Sequence, residues 1–392
     1  LARLNSMGGV QRQALSLAHE LIALGHKVKV YTLTFFPEKC NPDLLKGLDI
    51  FALPEKFQMD TKGSLGFLAE DRMAKQLAFF IDKDTDLLNP HDTPCHHTAY
   101  YFKKYVKNIP SAWNVNELPF MRWPPEWEME IDPNFHDVPQ KSMRLSWLFY
   151  MAKSRYDNFF VRKQDAVIVF DSAHQETVRR YLGRESFIAH SGVDLGRFRY
   201  IPRRAPQREA LLLSSGIFLP YRRYEDILQA MKMLFDWGYR VHLSIASDYT
   251  TGKRYFDVLQ SLTNRLGLSE NVKFLGRISD EELDELFRTQ HIFVFPHLQS
   301  QAISAYEAMA VGLPTIVARL PGAYEILEDK KHALLIPPKD PLALAQAIKN
   351  LLDSSDLYQK ISAQGAECVR SHLSWKNYAR EVLTIFHHIV NR

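Results

Sequence analysis

Apolar residues recur at helical spacing through "MGGVQRQALSLAHELIALGHKVKVYT", with Leu15, Ala18, Leu21, Ile22 and Leu24 on one face. Gly25 ends the run as helices commonly end. "KVKVYT" then predicts a strand. Glycine turn, helix, glycine and strand make one step of an alternating α/β fold. "DTDLLNPHD" and "PSAWNVNEL" predict later strand ends, with a helix around "TAYYFKKYVK" between them. From about 118 to 165 the pattern is irregular and rich in Trp, Pro and Met. Its final part, "KSMRLSWLFYMAKSRYDNFFVRK", predicts a long amphipathic helix with a basic face. Such a helix either covers a core with a solvated face or lies on a membrane surface. "DAVIVFDS" predicts a strand, "AHQETVRRYLG" a helix, and "SFIAHSGVDLGRF" a strand and turn.

A polar run, "IPRRAPQRE", follows near 201 to 209, and the alternation then restarts. "ALLLSSG", "RVHLSIAS", "VKFLG", "HIFVFP", "PTIVAR" and "HALLIPP" predict strands. "YEDILQAMKMLFDWG", ending at Gly238, and the segment through "YFDVLQSLTNRLG" predict helices. A restart after a Pro/Arg linker argues for two α/β domains. A length of 392 residues agrees, being too long for one ordinary core.

Composition changes the picture little. Apolar content is 46% and charged content 24%, as in ordinary soluble domains. A formal net charge of +4 gives no warrant for general nucleic-acid binding and leaves mild attraction to an anionic membrane. Cys40, Cys95 and Cys368 are odd in number and lack metal-ligand spacing, which predicts free thiols in a reducing compartment. No apolar run approaches the ~20 residues that span a bilayer, and no signal peptide is visible. "LARLNSMGGVQRQ" opens almost directly on a Gly-Gly turn, so a strand ahead of it is expected to be very short or missing.

Ligands of open parallel sheets bind at the carboxyl ends of strands, and three such ends carry candidate chemistry. Gly8 and Gly9 precede the first helix. They suit either an anion at a helix N-terminus or a tight turn with no ligand. Arg222 and Arg223 follow the strand that ends at Gly216. Two cations at a helix start oppose its dipole unless a phosphate shares the site, although surface arginines are common. In "HLQSQAISAYEAMAVGLP", Glu307 sits among small apolar residues behind Gln299, Ser300 and Gln301. It reads as an acceptor for ribose hydroxyls, or as a capping or ion-pair acid. "DKDTD" (82 to 86) reads as a solvated turn rather than a metal loop. His91, His96 and His97 lie in "HDTPCHH". Adjacent histidines point apart on a helix or strand, so no shared metal is expected. Motifs of serine hydrolases, P-loops and zinc proteases are absent.

The chain resembles the retaining glycosyltransferases of family four. The resemblance rests on "GGVQRQALSLAHELIALGHKVKVYT", "IPSAWNVNELP", "DSAHQETVRRYLG" with "HSGVDLGRF", "NVKFLGRISDEELDELF", "YEAMAVGLPTIVARLPGAYEIL" and "HALLIPPKDPLALAQAI". It implies an α/β protein of two Rossmann-like domains, the GT-B fold, facing each other across a cleft. The implied domains are 1–200 on the acceptor side and 201–372 on the nucleotide-sugar side. "LSWKNYAREVLTIF" resembles the family's terminal helix, so 373–392 is implied to cross back to the first domain.

The implied reaction moves a sugar from a UDP- or GDP-type donor to a hydroxyl of a glycan or lipid-linked glycan. It retains configuration and needs no metal or other cofactor. A cytoplasmic location is implied, with peripheral contact at the inner face of a membrane. The family signature is Glu, seven residues, Glu. Glu307 fills the second place, implied to bind the donor ribose, and Gln299 stands in the first, which contacts the donor sugar. Of the usual phosphate-binding Arg and Lys, the first place reads Ile217 and the second Arg222, with Arg223 beside it. Asn116, followed by Glu117, stands where a histidine often ends a strand. Arg222, Arg223, Gln299 and Asn116 are thus the implied catalytic residues. Gly8, Gly9, Gly216, Ile303 and Glu307 are the implied donor contacts. The departures admit two readings, a divergent active enzyme or a non-catalytic binding subunit. A sugar-nucleotide epimerase would be expected to carry its own acid and histidine pattern, which is not seen, and a nucleotide-binding regulator fits least.

Overall fold

Short β-branched and aromatic runs set between Gly, Pro and Asn form the strands, and segments with 3.6-residue apolar spacing form the helices. The computed structural model describes residues 1–4, 8–61, 66–116, 152–207, 209–248, 252–298 and 302–391. Packing divides the chain into two units. One comprises Leu1–Ser191 with Trp375–Arg392, and the other Gly192–Ser374. The division falls ahead of the "IPRRAPQRE" run because Val193 and Phe198 are buried in the core of the second unit. The Val193 amide also donates to the Leu373 carbonyl.

In the first unit every strand pair is parallel. β1 (Arg3–Leu4) pairs with β3 (Thr34–Phe35), β2 (Lys29–Thr32) with β4 (Asp49–Ala52), and β5 (Ala112–Asn114) with β6 (Ala166–Val169), which pairs with β7 (Phe187–Ile188). The expected strand end at "DTDLLNPHD" makes only single bridges, Leu88 to Ser111 and His91 to Asn114. The helices are α1 (Gly9–Ala23), α2 (Gly66–Ala78), α3 (Cys95–Tyr105), α4 (over 152–161) and α5 (Ser172–Leu182). α4 is the described part of the predicted amphipathic helix, whose earlier residues lie outside the described ones.

The first helix is buried on two sides. Leu15 and Ala18 pack with Leu4 and Val30, while Leu17 and Leu21 pack with Ala112, Ala166 and Ile168. Ile22 and Leu24, expected on its core face, are exposed at 38% and 40%. They occupy the last turn, where Gly25, at φ +93°, turns the chain outward.

The second unit is one six-stranded parallel sheet. Its strands are β8 (Glu209–Ser215), β9 (Arg240–Ala246), β10 (Val272–Gly276), β11 (Ile292–Phe295), β12 (Thr315–Ala318) and β13 (Leu334–Ile336). Their spatial order is β10-β9-β8-β11-β12-β13. Counted within the unit this is 3-2-1-4-5-6, the doubly wound order, which reverses direction at β8 and β11. Between the strands run α6 (Tyr224–Asp236), α7 (Lys253–Arg265), α8 (Asp280–Thr289) and α9 (Ile303–Ala310), and α10 (Pro341–Asp353) and α11 (Ser355–His372) follow β13. Leu213, Phe287, Phe293, Phe295, Met309 and Val317 form part of the core.

α12 (Trp375–Val390) returns to the first unit, burying Tyr378, Val382 and Phe386 with Leu17, Ala112 and Ile168. All three cysteines are buried free thiols. Among the described residues no helix is long and apolar enough to cross a membrane.

Candidate active site

The strand order locates the site of the second unit before any side chain is considered. At the reversal, loops leaving β8 and β11 part in opposite directions and leave a crevice at the strand ends. Gly216 follows β8 there with φ +143°, a conformation that favours glycine. A Cβ on it would stand 2.9 Å from Arg222 Cζ, so the missing side chain lets the guanidinium lie against the backbone. From the other side of the reversal, His297 follows β11. Arg222 Nη1 donates to His297 Nδ1 at 2.7 Å. This bond ties the carboxyl ends of the two central strands together.

His297 is buried and lies tilted against Phe295 with ring centroids 3.6 Å apart. Burial, and then the Arg222 charge, hold its pKa well below the usual histidine range. It is therefore neutral and can accept from the arginine. Arg222 Nε is buried without a partner, and no carboxylate pairs with this guanidinium among the described residues. An uncompensated arginine at a strand-end crevice is a ready anion ligand. Sequence reasoning missed His297. The only available signal was a polar residue directly after the "HIFVFP" strand.

Arg223 points elsewhere. It caps α6 with φ +53°, and its guanidinium pairs with Glu225 and Asp226, each at 2.7 Å. Tyr255 donates a second bond to Glu225. Burial raises the Glu225 pKa, and Arg223 and the tyrosine oppose that shift. The cation at the helix start is thus balanced by acids of the first turn, which also suit the dipole. Arg223 therefore needs no phosphate to balance its charge. Arg222 remains the phosphate candidate.

Ile303 opens α9, whose first-turn amides have no intrahelical acceptor. Glu307 is half-buried on a helix whose Ala305, Tyr306, Ala308, Met309 and Ala310 are buried. Its charge contributes, after burial and the acids Asp284 and Asp280, to the environment of Arg197, whose pKa is raised overall. Gln299 lies outside the described residues.

The candidates of the first unit cluster around the start of α1. Gly8 is the N-cap, and its amide donates to Gln11 Oε1 at 3.1 Å. Gly9 begins the helix, exposed, with open space where a Cβ would be. Neither glycine is demanded by a neighbouring backbone. Asn116 Nδ2 donates to Gln13 Oε1 at 2.7 Å, which ties the strand end after β5 to α1. Gln13 Nε2 donates onward to the Tyr378 hydroxyl at 3.0 Å, and Asn114 Nδ2 donates to the same oxygen. Asn89 Nδ2 donates to Asn114 Oδ1 at 2.9 Å. A buried polar chain therefore stands behind Asn116, and its Gln13, Asn89 and Tyr378 members were not anticipated. Within "DKDTD", Asp82 pairs with exposed Lys29 at the surface.

The comparisons with known proteins agree with this geometry. A sequence profile described as Glycosyl transferases group 1 matches residues 201–367. One described as Glycosyltransferase Family 4 matches residues 7–197. The chain belongs to the family-four glycosyltransferases.

Mannosylfructose-phosphate synthase of Agrobacterium fabrum is 29% identical over 96% of this chain and 86% of its own. Phosphatidyl-myo-inositol mannosyltransferase of Mycobacterium leprae is 24% identical over 97% and 92%. A D-inositol 3-phosphate glycosyltransferase of Streptomyces scabiei is 27% identical over 54% of this chain and 51% of its own. In three dimensions, sucrose-phosphate synthase of Thermosynechococcus elongatus matches with a TM-score of 0.75 at 18% identity, covering 99% and 96%. Anabaena HepE, solved with UDP-glucose, matches with a TM-score of 0.72 at 14% identity, covering 98% of each chain. The fold is GT-B. This family-four chain is a glycosyltransferase.

Proposed function

We propose that this glycosyltransferase moves a hexose from a UDP- or GDP-sugar to a hydroxyl of a glycan or lipid-linked glycan, with retention of configuration. The observation that carries the reading is Arg222, a half-buried cation with no carboxylate partner among the described residues, held by His297 where the second unit's sheet reverses. A diphosphate suits that place. Transfer breaks the bond from the anomeric carbon to the diphosphate oxygen and forms a bond to the acceptor oxygen on the same face. The acceptor proton passes to the departing diphosphate. Arg222 and the first-turn amides of α9, from Ile303 onward, stabilise the charge that develops there. No metal is assigned to this step. Glu307 accepts from the ribose hydroxyls, Gln299 contacts the donor sugar, and Gly216 gives the guanidinium its position. Arg223 supports Arg222 through the loop. On the first unit, Gly8 and Gly9 at the start of α1 and Asn116 at the strand end are the proposed substrate contacts.

Two likenesses support the donor and acceptor classes. HepE was solved with UDP-glucose, and one relative is named for phosphatidyl-myo-inositol, a lipid. A lipid-linked acceptor would place the enzyme peripherally at a cytoplasmic membrane face.

Calorimetric titration with UDP-glucose, GDP-mannose and the bare nucleosides tests the reading. Diphosphate-sugar binding that weakens strongly in Arg222→Ala, with nucleoside binding kept, is expected. Equal losses for both ligands would overturn the diphosphate assignment. Turnover of Gln299→Glu tests activity. An amide donates and accepts, whereas a carboxylate only accepts, so transfer should fall if the pocket is built around the amide. A rise from a silent wild type would instead identify a non-catalytic binding subunit.

A further inference from the structure

The first unit buries a second constellation that includes none of the residues assigned to transfer. His96 and His97 lie in the first turn of α3, and Asp157 lies on α4. All three are buried, His96 completely. One ligand atom of each lies within 4.8 Å of the others. The two imidazoles, expected to diverge, instead meet edge to face with centroids 4.5 Å apart. Phe160 stacks on the His97 ring at 3.7 Å, and Trp113 lies against His96 at 4.7 Å. These contacts turn both rings toward Asp157.

The polar atoms here do not satisfy one another. His96 has no partner at Nδ1 or at Nε2. His97 Nδ1 bonds Asp71 Oδ1 at 2.8 Å, which turns Nε2 toward Asp157. That nitrogen stands 3.2 Å from Asp157 Oδ1 without the direction of a hydrogen bond. Asp157 Oδ2 also lacks a partner. Among the described residues, no Lys or Arg pairs with Asp71 or Asp157. Buried groups left in this state are costly, and an unrecorded ion is one of the few things that relieves them.

We propose that His96, His97 and Asp157 form a structural site for a zinc-type divalent cation. Two imidazoles and a carboxylate are a common borderline donor set. The cation would neutralise the two carboxylates and engage an otherwise orphaned His96 nitrogen. Asp71 would act as the outer partner that fixes the His97 tautomer and leaves Nε2 for the metal. Tyr101 in turn donates to both Asp71 oxygens. The site clamps α3 to α4 and takes no part in sugar transfer.

Metal content and cobalt titration of the untagged full chain test the proposal. Purified protein is expected to hold about one zinc per chain, and a chelator should lower its melting temperature until zinc is returned. Cobalt(II) added to stripped protein should reach one equivalent and give visible d–d absorption. Asp71→Asn should weaken cobalt binding by about 10–100-fold, and His96→Ala and Asp157→Asn should abolish it. Folded, stripped wild type that takes up neither metal at tenfold excess would overturn the proposal, whatever the variants do. So would an equal stoichiometry in folded His96→Ala and Asp157→Asn, which would place the metal elsewhere.

Discussion

The two units fill their interiors with different chemistry. In Gly192–Ser374 the central strands bury Leu213, Phe293, Phe295 and Val317, and the functional polar groups collect at their carboxyl ends. In the first unit, β5 carries Asn114 at 0% exposure, bonded to Tyr378 and Asn89. His91, His96, His97 and Asp157 are buried around it. An apolar interior loses stability in proportion to the surface removed. A polar interior loses it in steps, because each deleted group orphans its partner.

The largest expected effect is an exception on the apolar side. Arg223→Ala leaves Glu225 and Asp226 buried without their cation, and should cost about 3–5 kcal/mol of unfolding free energy. Urea denaturation checks this. A loss below about 1 kcal/mol would return Arg223 to the solvated arginines.

Its neighbour should behave in the opposite way. Arg222→Ala is expected to cost only about 1 kcal/mol of stability, from the donor that His297 Nδ1 loses, and to reduce transfer by about 10²–10³-fold, as loss of one charge-stabilising donor commonly does. Steady-state kinetics on the folded variant decide it. A fall in stability without a fall in turnover would make Arg222 a structural group.

Acid should reach the buried histidines next. Burial pushes the His91 pKa down to about 3. Below about pH 6.5 the unfolded chain protonates this residue and the folded chain does not, so stability falls as pH falls. From pH 7 to pH 5 the loss is about 2 kcal/mol. Urea midpoints at the two pH values measure it, and the slope should shrink in His91→Asn.

Tyr378→Phe should cost about 1–3 kcal/mol, because the amides of Gln13 and Asn114 lose their shared acceptor. A neutral result would show that water replaces the hydroxyl and that the polar chain is not tightly built. The smallest stability change belongs to Gly9→Ala, which meets open space and should shift stability by at most about 1 kcal/mol. A raised KM for the donor in that variant would mark the start of α1 as a close approach to ligand.

Much of the second unit was readable because its strands are continuous apolar runs with glycine or proline at their ends. "ALLLSSG" and "HIFVFP" therefore flagged the two strands that bracket the reversal. The partner of Arg222 was not readable. His297 lies 75 positions away, and only the sheet order brings the two together. The neutralisation of Arg223 was visible in principle, since Glu225 and Asp226 stand in the same first turn, yet a helix-dipole argument alone could not choose between acids and a phosphate. The closeness of the His96 and His97 rings was not readable for a related reason. Adjacent side chains diverge on an isolated helix, but Phe160 and Trp113 press these two rings toward one carboxylate contributed by another helix. Of the family signature, Glu307 can be placed, while Gln299 falls outside the described residues.

The position of α12 in the chain has a consequence for biosynthesis. The ribosome delivers Leu17, Leu21, Ala112 and Ile168 early, but Tyr378, Val382 and Phe386, which cover them, emerge only after all of Gly192–Ser374. At roughly 5–20 residues per second, that interval is on the order of 10–40 s. Throughout it the first unit carries an uncovered apolar stripe, and by its end the second unit has every strand of its sheet. The half that is made first is therefore the half that is completed last.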